Sequence, residues 1–125
     1  MKVFRKAIVR VPGESITGAL TSQDLGEPEY HKALQQHAAY VDALRQCGLE
    51  VITLPPDNRY PDSTFVEDTA LLTSRGAIIT RPGAPSRRGE TEEMEFVISD
   101  HFENIDHIEA PGTVDAGDIM PVEDH

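Results

Sequence analysis

The sequence predicts an α/β fold, and three observations predict it. Segments that read as strands and helices alternate in the order strand, helix, strand, hairpin, helix, strand, which is the order that lays helices on sheets. A length of 125 residues suffices for one small domain with its own core. A faint echo of Val66-Glu67-Asp68 returns at Val114-Asp115. Each copy follows a proline-containing turn, at a distance typical of repeated supersecondary units.

Taken in order, Val3 to Val11 reads as the first strand. Val3, Ala7, Ile8, Val9 and Val11 are apolar, and Pro12-Gly13 ends the run. Glu14 to Pro28 has no period and is rich in Gly, Ser and Thr. Its length suits a lid or binding loop as well as a plain connection. Glu29 to Cys47 is the clearest helix: Tyr30, Ala33, Leu34, His37, Ala38, Val41, Leu44 and Cys47 recur on one face. Pro28 suits its start and Gly48 its stop. Cys47 is expected to pack in the core rather than act as a reactive thiol. His37 is expected to be packed or partly exposed, and His31 to lie on the surface. Neither has a metal-ligating neighbour at helical spacing.

Leu49 to Leu54 reads as a second strand. Ala70–Thr73 and Ala77–Thr80 form a hairpin across Ser74-Arg75-Gly76. Arg81 to Gly89 is a polar loop whose Arg87 and Arg88 are suited to clamp a carboxylate or simply to face water. Glu90, Glu92 and Glu93 open a second helix, where the positive end of the dipole favours acids. Met94, Val97, Ile98 and Phe102 give it an apolar face. His107-Ile108 reads as a short strand, Ala110-Pro111-Gly112-Thr113 as a turn, and Val114 to Met120 as leading into a further strand. Glu123-Asp124-His125 offers that strand no cap.

Composition narrows the partners. Apolar residues make up 38% of the chain, and no run is long enough to cross a membrane. The opening Met1-Lys2-Val3-Phe4-Arg5-Lys6 is basic but lacks the apolar core of a signal peptide, so a cytoplasmic location is expected. With one cysteine, no intrachain disulfide can form. A formal net charge of -11 argues against nucleic acid and anionic membranes and suits a cationic small molecule.

The chemistry points to Pro61-Asp62-Ser63-Thr64-Phe65-Val66-Glu67-Asp68. Three carboxylates fall in this stretch, between a turn at Leu54-Pro55-Pro56-Asp57-Asn58 and the strand at Ala70. On a strand Glu67 and Asp68 would face opposite sides, one towards a pocket and one anchoring the structure. Acids beside an apolar strand suit a guanidinium or ammonium group, because desolvation strengthens their pull. A loop of solvated surface acids is the competing reading.

Four motifs in order resemble one family. They are Phe65-Val66-Glu67-Asp68, Thr80-Arg81-Pro82-Gly83-Ala84, Ser86-Arg87-Arg88-Gly89-Glu90-Thr91 and Ala110-Pro111-Gly112-Thr113-Val114-Asp115-Ala116-Gly117-Asp118. Together they resemble the dimethylarginine dimethylaminohydrolases, with Gly18-Ala19-Leu20-Thr21-Ser22 where that family carries its lid. The resemblance implies a pentein fold, an α/β propeller of five ββαβ-type units around a pseudo-fivefold axis. This chain would supply a little over two of the five. It would then be the N-terminal part of a single pentein domain, with the catalytic C-terminal part absent. Its open strand edges would be covered by the missing part or by a second copy, as in a homodimer.

The resemblance also implies roles. Asp62 would bind a substrate α-ammonium with the backbone carbonyl of Leu20, and Arg87 the α-carboxylate. Asp68 would hold the guanidinium nitrogens with Glu67 beside it, and Phe65 would line the alkyl chain. Asp115, where some members carry glutamate, would orient a catalytic histidine that this chain lacks. The activity implied is hydrolysis of Nω-methylated L-arginine to L-citrulline and a methylamine through a cysteine nucleophile, with no metal or cofactor. Cys47 lies in the first helix and does not match that nucleophile, and His125 matches a non-catalytic position. The chain alone is therefore expected to be inactive. Arginine deiminases and amidinotransferases share the fold and the guanidine clamp. A non-catalytic module binding arginine analogues, and a plain α/β domain with solvated acids, are the other readings.

Overall fold

A computed structural model describes residues 4–21 and 25–122. The expected strand start at Val3, the last lid residue Ser22 and the tail Glu123-Asp124-His125 lie outside the described residues. The chain divides into two compact units, Met1–Phe65 and Val66–His125, each with its own sheet.

In the first unit, β1 (Lys6–Arg10) and β2 (Glu50–Leu54) pair in parallel, from Lys6 opposite Glu50 to Arg10 opposite Leu54. Parallel neighbours need a long crossover, and α1 (Tyr30–Gln46) supplies it and packs on β2. Val41 is buried, while Tyr30, Ala33, Leu34, His37 and Leu44 are half-buried. The apolar stripe is therefore real but narrower than expected, because Ala38 is exposed. His31 is exposed, and burial lowers the pKa of the half-buried His37.

Cys47 is exposed, contrary to the expected core position. The reason is local. Cys47 is the cap residue just past the helix, where the helical period no longer sets the direction of a side chain. Gly48 follows at φ 85° and donates its N–H to Arg45 O, while Leu49 donates to Leu44 O. This pair of bonds is the Schellman stop, which needs a left-handed residue at its centre.

Beyond β1, the long loop is not wholly irregular. It opens with a short 3-10 helix, Glu14–Gly18, which buries Ile16 and packs against α1.

In the second unit, β3 (Ala70–Thr73) and β4 (Gly76–Ile79) form the expected antiparallel hairpin, Ala70 opposite Ile79. Then α2 (Glu90–Ser99) carries the chain to β5 (Ile105–His107), which pairs in parallel with β4. The spatial order is β3-β4-β5. Ala77 and Ile79 alternate inward from β4, and Met94 and Ile98 lie one helical turn apart on α2; all four are buried. Helix α2 packs on β4. Phe102 falls beyond the end of α2 and is half-buried.

Two expectations of strand fail here. Val66–Asp68 is a turn of 3-10 helix, so Glu67 and Asp68 are not set on opposite faces by a strand. Val114 to Met120 is not a strand either. Ala116–Asp118 forms another 3-10 turn, and Ile119 and Met120 are exposed. A strand needs a ladder partner. Here the Asp118 N–H closes locally on Asp115 O instead. Among the described residues, no helix is long and apolar enough to cross a membrane.

Candidate functional site

Each unit presents a held carboxylate. In the first, the chain after β2 folds into consecutive turns. Tyr60 N–H donates to Asp57 O, Ser63 N–H to Tyr60 O, and Phe65 N–H to Asp62 O. The Thr64 hydroxyl donates to Arg10 O at 2.9 Å, fastening the last turn to the end of β1. Asp62 is buried at 7% exposure. The Leu20 N–H lies 3.2 Å from each of its carboxylate oxygens. The Leu20 contact is thus made by its N–H, whereas the resemblance assigns the Leu20 carbonyl to a ligand ammonium beside Asp62. The Leu20 and Phe65 residues are exposed. Nearby, Asp57 has its pKa lowered, chiefly by the hydrogen bond from Arg59.

The second unit builds a denser arrangement around Asp68. The 3-10 turns Val66–Asp68 and Ala116–Asp118 pack together. Gly117 N–H donates to Asp68 Oδ1 at 3.2 Å. A Cβ at Gly117 would collide with that oxygen, so only glycine lets the backbone come so close. The other oxygen, Oδ2, accepts from Arg87 Nη1 at 2.6 Å. Arg87 Nε and Nη2 meanwhile donate to Glu90 Oε2 and Oε1 at 2.8 and 2.9 Å, the side-on bidentate geometry that suits guanidinium and carboxylate.

Burial works against the charge on Arg87. The hydrogen bonds of Glu90 and then Asp68 more than reverse that effect, and its pKa is raised. The resemblance gives Arg87 a ligand carboxylate as partner; the chain itself supplies two. Arg88 turns to the backbone, donating to Pro82 O and Gly83 O.

Thr80 secures the backbone of this arrangement. Its hydroxyl donates to Asp68 O at 2.6 Å, and its N–H donates to Thr69 O at 3.0 Å. Glu67, next along the turn, is exposed overall. Its carboxyl pKa is nevertheless raised, first by desolvation and further by the Asp68 charge. The N–H of Glu67 and the charge of Arg87 oppose the rise. Asp115 Oδ2 accepts from Gly83 N–H at 3.3 Å, which ties the Ala110–Asp118 motif to the Thr80–Ala84 motif.

Sequence reasoning missed Glu90 as part of this arrangement, reading it as a helix-opening acid. It is that, but it is also buried at 6% exposure. The spacing Arg87 to Glu90 across a helix start was the available signal, since residues three apart meet on a helical turn. Among the described residues, no buried side-chain nitrogen or oxygen lacks a partner. No three His, Cys, Asp or Glu side chains gather there to hold a metal ion.

Comparison with known proteins agrees with the motifs. Residues 21–112 match the sequence model of the family described as N,N dimethylarginine dimethylhydrolase, eukaryotic. The N(G),N(G)-dimethylarginine dimethylaminohydrolase of Pseudomonas aeruginosa is 56% identical over 124 residues, covering 98% of this chain and 49% of the relative. A solved structure of the Pseudomonas aeruginosa enzyme, a mutant complexed with citrulline, superposes with a TM-score of 0.97 at 55% identity. The match covers 99% of this chain and 49% of that one. A dimethylarginine dimethylaminohydrolase adduct with S-methyl-L-thiocitrulline gives a TM-score of 0.96 at 56% identity, over 98% of this chain and 49% of that one. The chain thus spans about half the length of the relatives it matches. On the strength of the family model and these motifs, the chain belongs to the N,N-dimethylarginine dimethylhydrolase family.

Proposed function

We propose that these residues are the guanidine-recognition part of an enzyme that converts Nω-methylated L-arginine to L-citrulline and methylamine or dimethylamine. The observation that carries the reading is the Asp68 carboxylate, held on one oxygen by Arg87 and on the other by the Gly117 N–H. A carboxylate oriented before a ligand arrives can fix a planar guanidinium without reorganising.

In this reading Asp68 binds the guanidinium nitrogens and Glu67 stands beside it. Asp62 and Leu20 take the α-ammonium, and Phe65 lies along the alkyl chain. Arg87 acts through Asp68. A ligand carboxylate reaching Arg87 would have to share it with Asp68 and Glu90. Asp115 orients a histidine. That histidine and the nucleophilic cysteine come from residues outside these 125, and the 125 alone are inactive.

The thiolate sulfur bonds to the guanidinium carbon, and the bond from that carbon to the methylated nitrogen breaks as the histidine protonates the leaving amine. Water, deprotonated by the same histidine, then adds to the carbon. The sulfur departs as thiolate, leaving the ureido oxygen of citrulline. On the same reading the ββαβ order of the second unit is one blade of a five-unit propeller. The missing part or a second copy covers the remaining strand edges, and the protein is cytoplasmic.

The test is citrulline release by the intact gene product from methylated arginine, with unmethylated L-arginine as the competing substrate. Asp68→Asn should lower kcat/KM by about 100-fold or more, while Cys47→Ala leaves it unchanged. An intact protein that releases citrulline only from unmethylated arginine would assign it to the deiminase branch instead.

A further inference from the structure

The Asp115 carboxylate is held from the loop that follows β4. Its Oδ2 accepts from the Gly83 N–H at 3.3 Å. That bond is long and open to water, so taken alone it is a weak hold. The peptide that carries this N–H is fixed from behind. Its carbonyl is that of Pro82, which accepts from Arg88 Nε at 3.0 Å. The next carbonyl, Gly83 O, accepts from Arg88 Nη2 at 3.3 Å. One planar guanidinium thus spans two successive carbonyls, a rigid fork that the point charge of lysine does not reproduce. The Pro82 side chain is fully buried, and its ring fixes φ in the same segment.

In a planar peptide unit the C=O and N–H point in opposite directions. Arg88 therefore engages one end of the Pro82–Gly83 peptide while Asp115 accepts from the other. A cation on the carbonyl polarises the unit and strengthens its N–H as a donor.

We infer that Arg88 is a positioning residue for the reaction: it fixes the Pro82–Gly83 peptide so that the Gly83 N–H aims the Asp115 carboxylate. The inference rests on the function proposed above, in which Asp115 orients the histidine that protonates the leaving amine. It divides the labour of two adjacent arginines. Arg87 serves the acid that binds the guanidinium, and Arg88 serves the acid behind proton transfer.

The experiment uses the intact protein and citrulline release from methylated arginine. Arg88→Met should lower kcat about tenfold and leave KM unchanged, because Asp68 still binds the guanidinium. Arg88→Lys, which keeps the charge but not the fork, should fall between Arg88→Met and wild type. A second reading does not depend on turnover. Protein carrying isotope-labelled glycine reports the Gly83 amide proton by NMR, assigned by its loss in Gly83→Ala. That resonance should move upfield in Arg88→Met, as the N–H loses polarisation.

A wild-type kcat in Arg88→Met, a loss carried by KM instead, or a Gly83 amide resonance that stays in place would overturn the role of Arg88. Should Arg88→Met fail to fold, Arg88→Lys carries both readings, with kcat about threefold lower and a smaller upfield shift. Wild-type values there would overturn the role equally. A wild-type protein that releases no citrulline from methylated arginine would overturn the functional reading and the catalytic part of this one. The amide resonance would still judge the link from Arg88 to Gly83.

Discussion

The two units hold their carboxylates by different means. In Met1–Phe65, Asp62 is met by the neutral N–H of Leu20, which reaches both oxygens at 3.2 Å. In Val66–His125, Asp68 is gripped at 2.6 Å by a charged guanidinium that is itself locked bidentately onto Glu90. The first arrangement depends on a loop following a short 3-10 helix. The second joins a turn before β3 to the first turn of α2, elements of a unit whose Ala77, Ile79, Met94 and Ile98 are buried. A neutral donor can be lost more cheaply, because only an uncharged hydrogen bond goes with it. A buried charged donor cannot, because two acids are stranded at once.

Stability measurements can break that contrast. The largest effect should come from Arg87→Met, which leaves Asp68 and Glu90 facing each other without a cation. Urea unfolding of the intact protein should show a loss of about 3–5 kcal/mol, the usual consequence of removing one member of a buried ion pair. Asp62→Asn, which keeps an acceptor for the Leu20 N–H, should cost about 0.5–1.5 kcal/mol in the same assay. If the two variants lost equal stability, the units would not differ as described.

The smallest effect concerns Glu67, and its sign can be worked out. Its folded pKa lies above the ordinary value of 4.5, so the fold favours the protonated form and is penalised when the group ionises. Glu67→Gln should therefore unfold at a higher denaturant concentration than wild type at pH 7. The gap should close as pH falls to 4.5 and below, where the carboxyl is protonated in both states. A gap that widens on acidification would contradict the environment described for this group.

The same contrast explains what the sequence disclosed. Helix α1 was legible because its apolar spacing and its Gly48 stop are local signals. The β3–β4 hairpin was legible for the same reason. The Val66–Asp68 and Ala116–Asp118 turns were misread as strand or strand entrance, because Val, Ile and Met beside them mimic strand composition. What decides those segments is the bond from Gly117 N–H to Asp68 Oδ1, which spans most of a unit and leaves no periodic trace. Cys47 was misassigned by extending a helical period one residue past the helix. The motifs singled out Asp68, Asp115 and Arg87 as candidates, but not Glu90 and Asp68 as partners of Arg87. Pairing Arg87 with Glu90 needed only the helix start that the sequence already places at Glu90, whereas pairing it with Asp68 requires the fold itself.

The Thr80 side chain has a consequence for how heat reaches the acidic turn. Its hydroxyl is tied to Asp68 O and its amide to Thr69 O, so the residue just past β4 straps down the peptide ahead of β3. That peptide should not fray like an ordinary connection. Its amide protons should exchange with deuterium at the pace of the strand pair, so the acid it bears should lose its aim only when the hairpin itself opens.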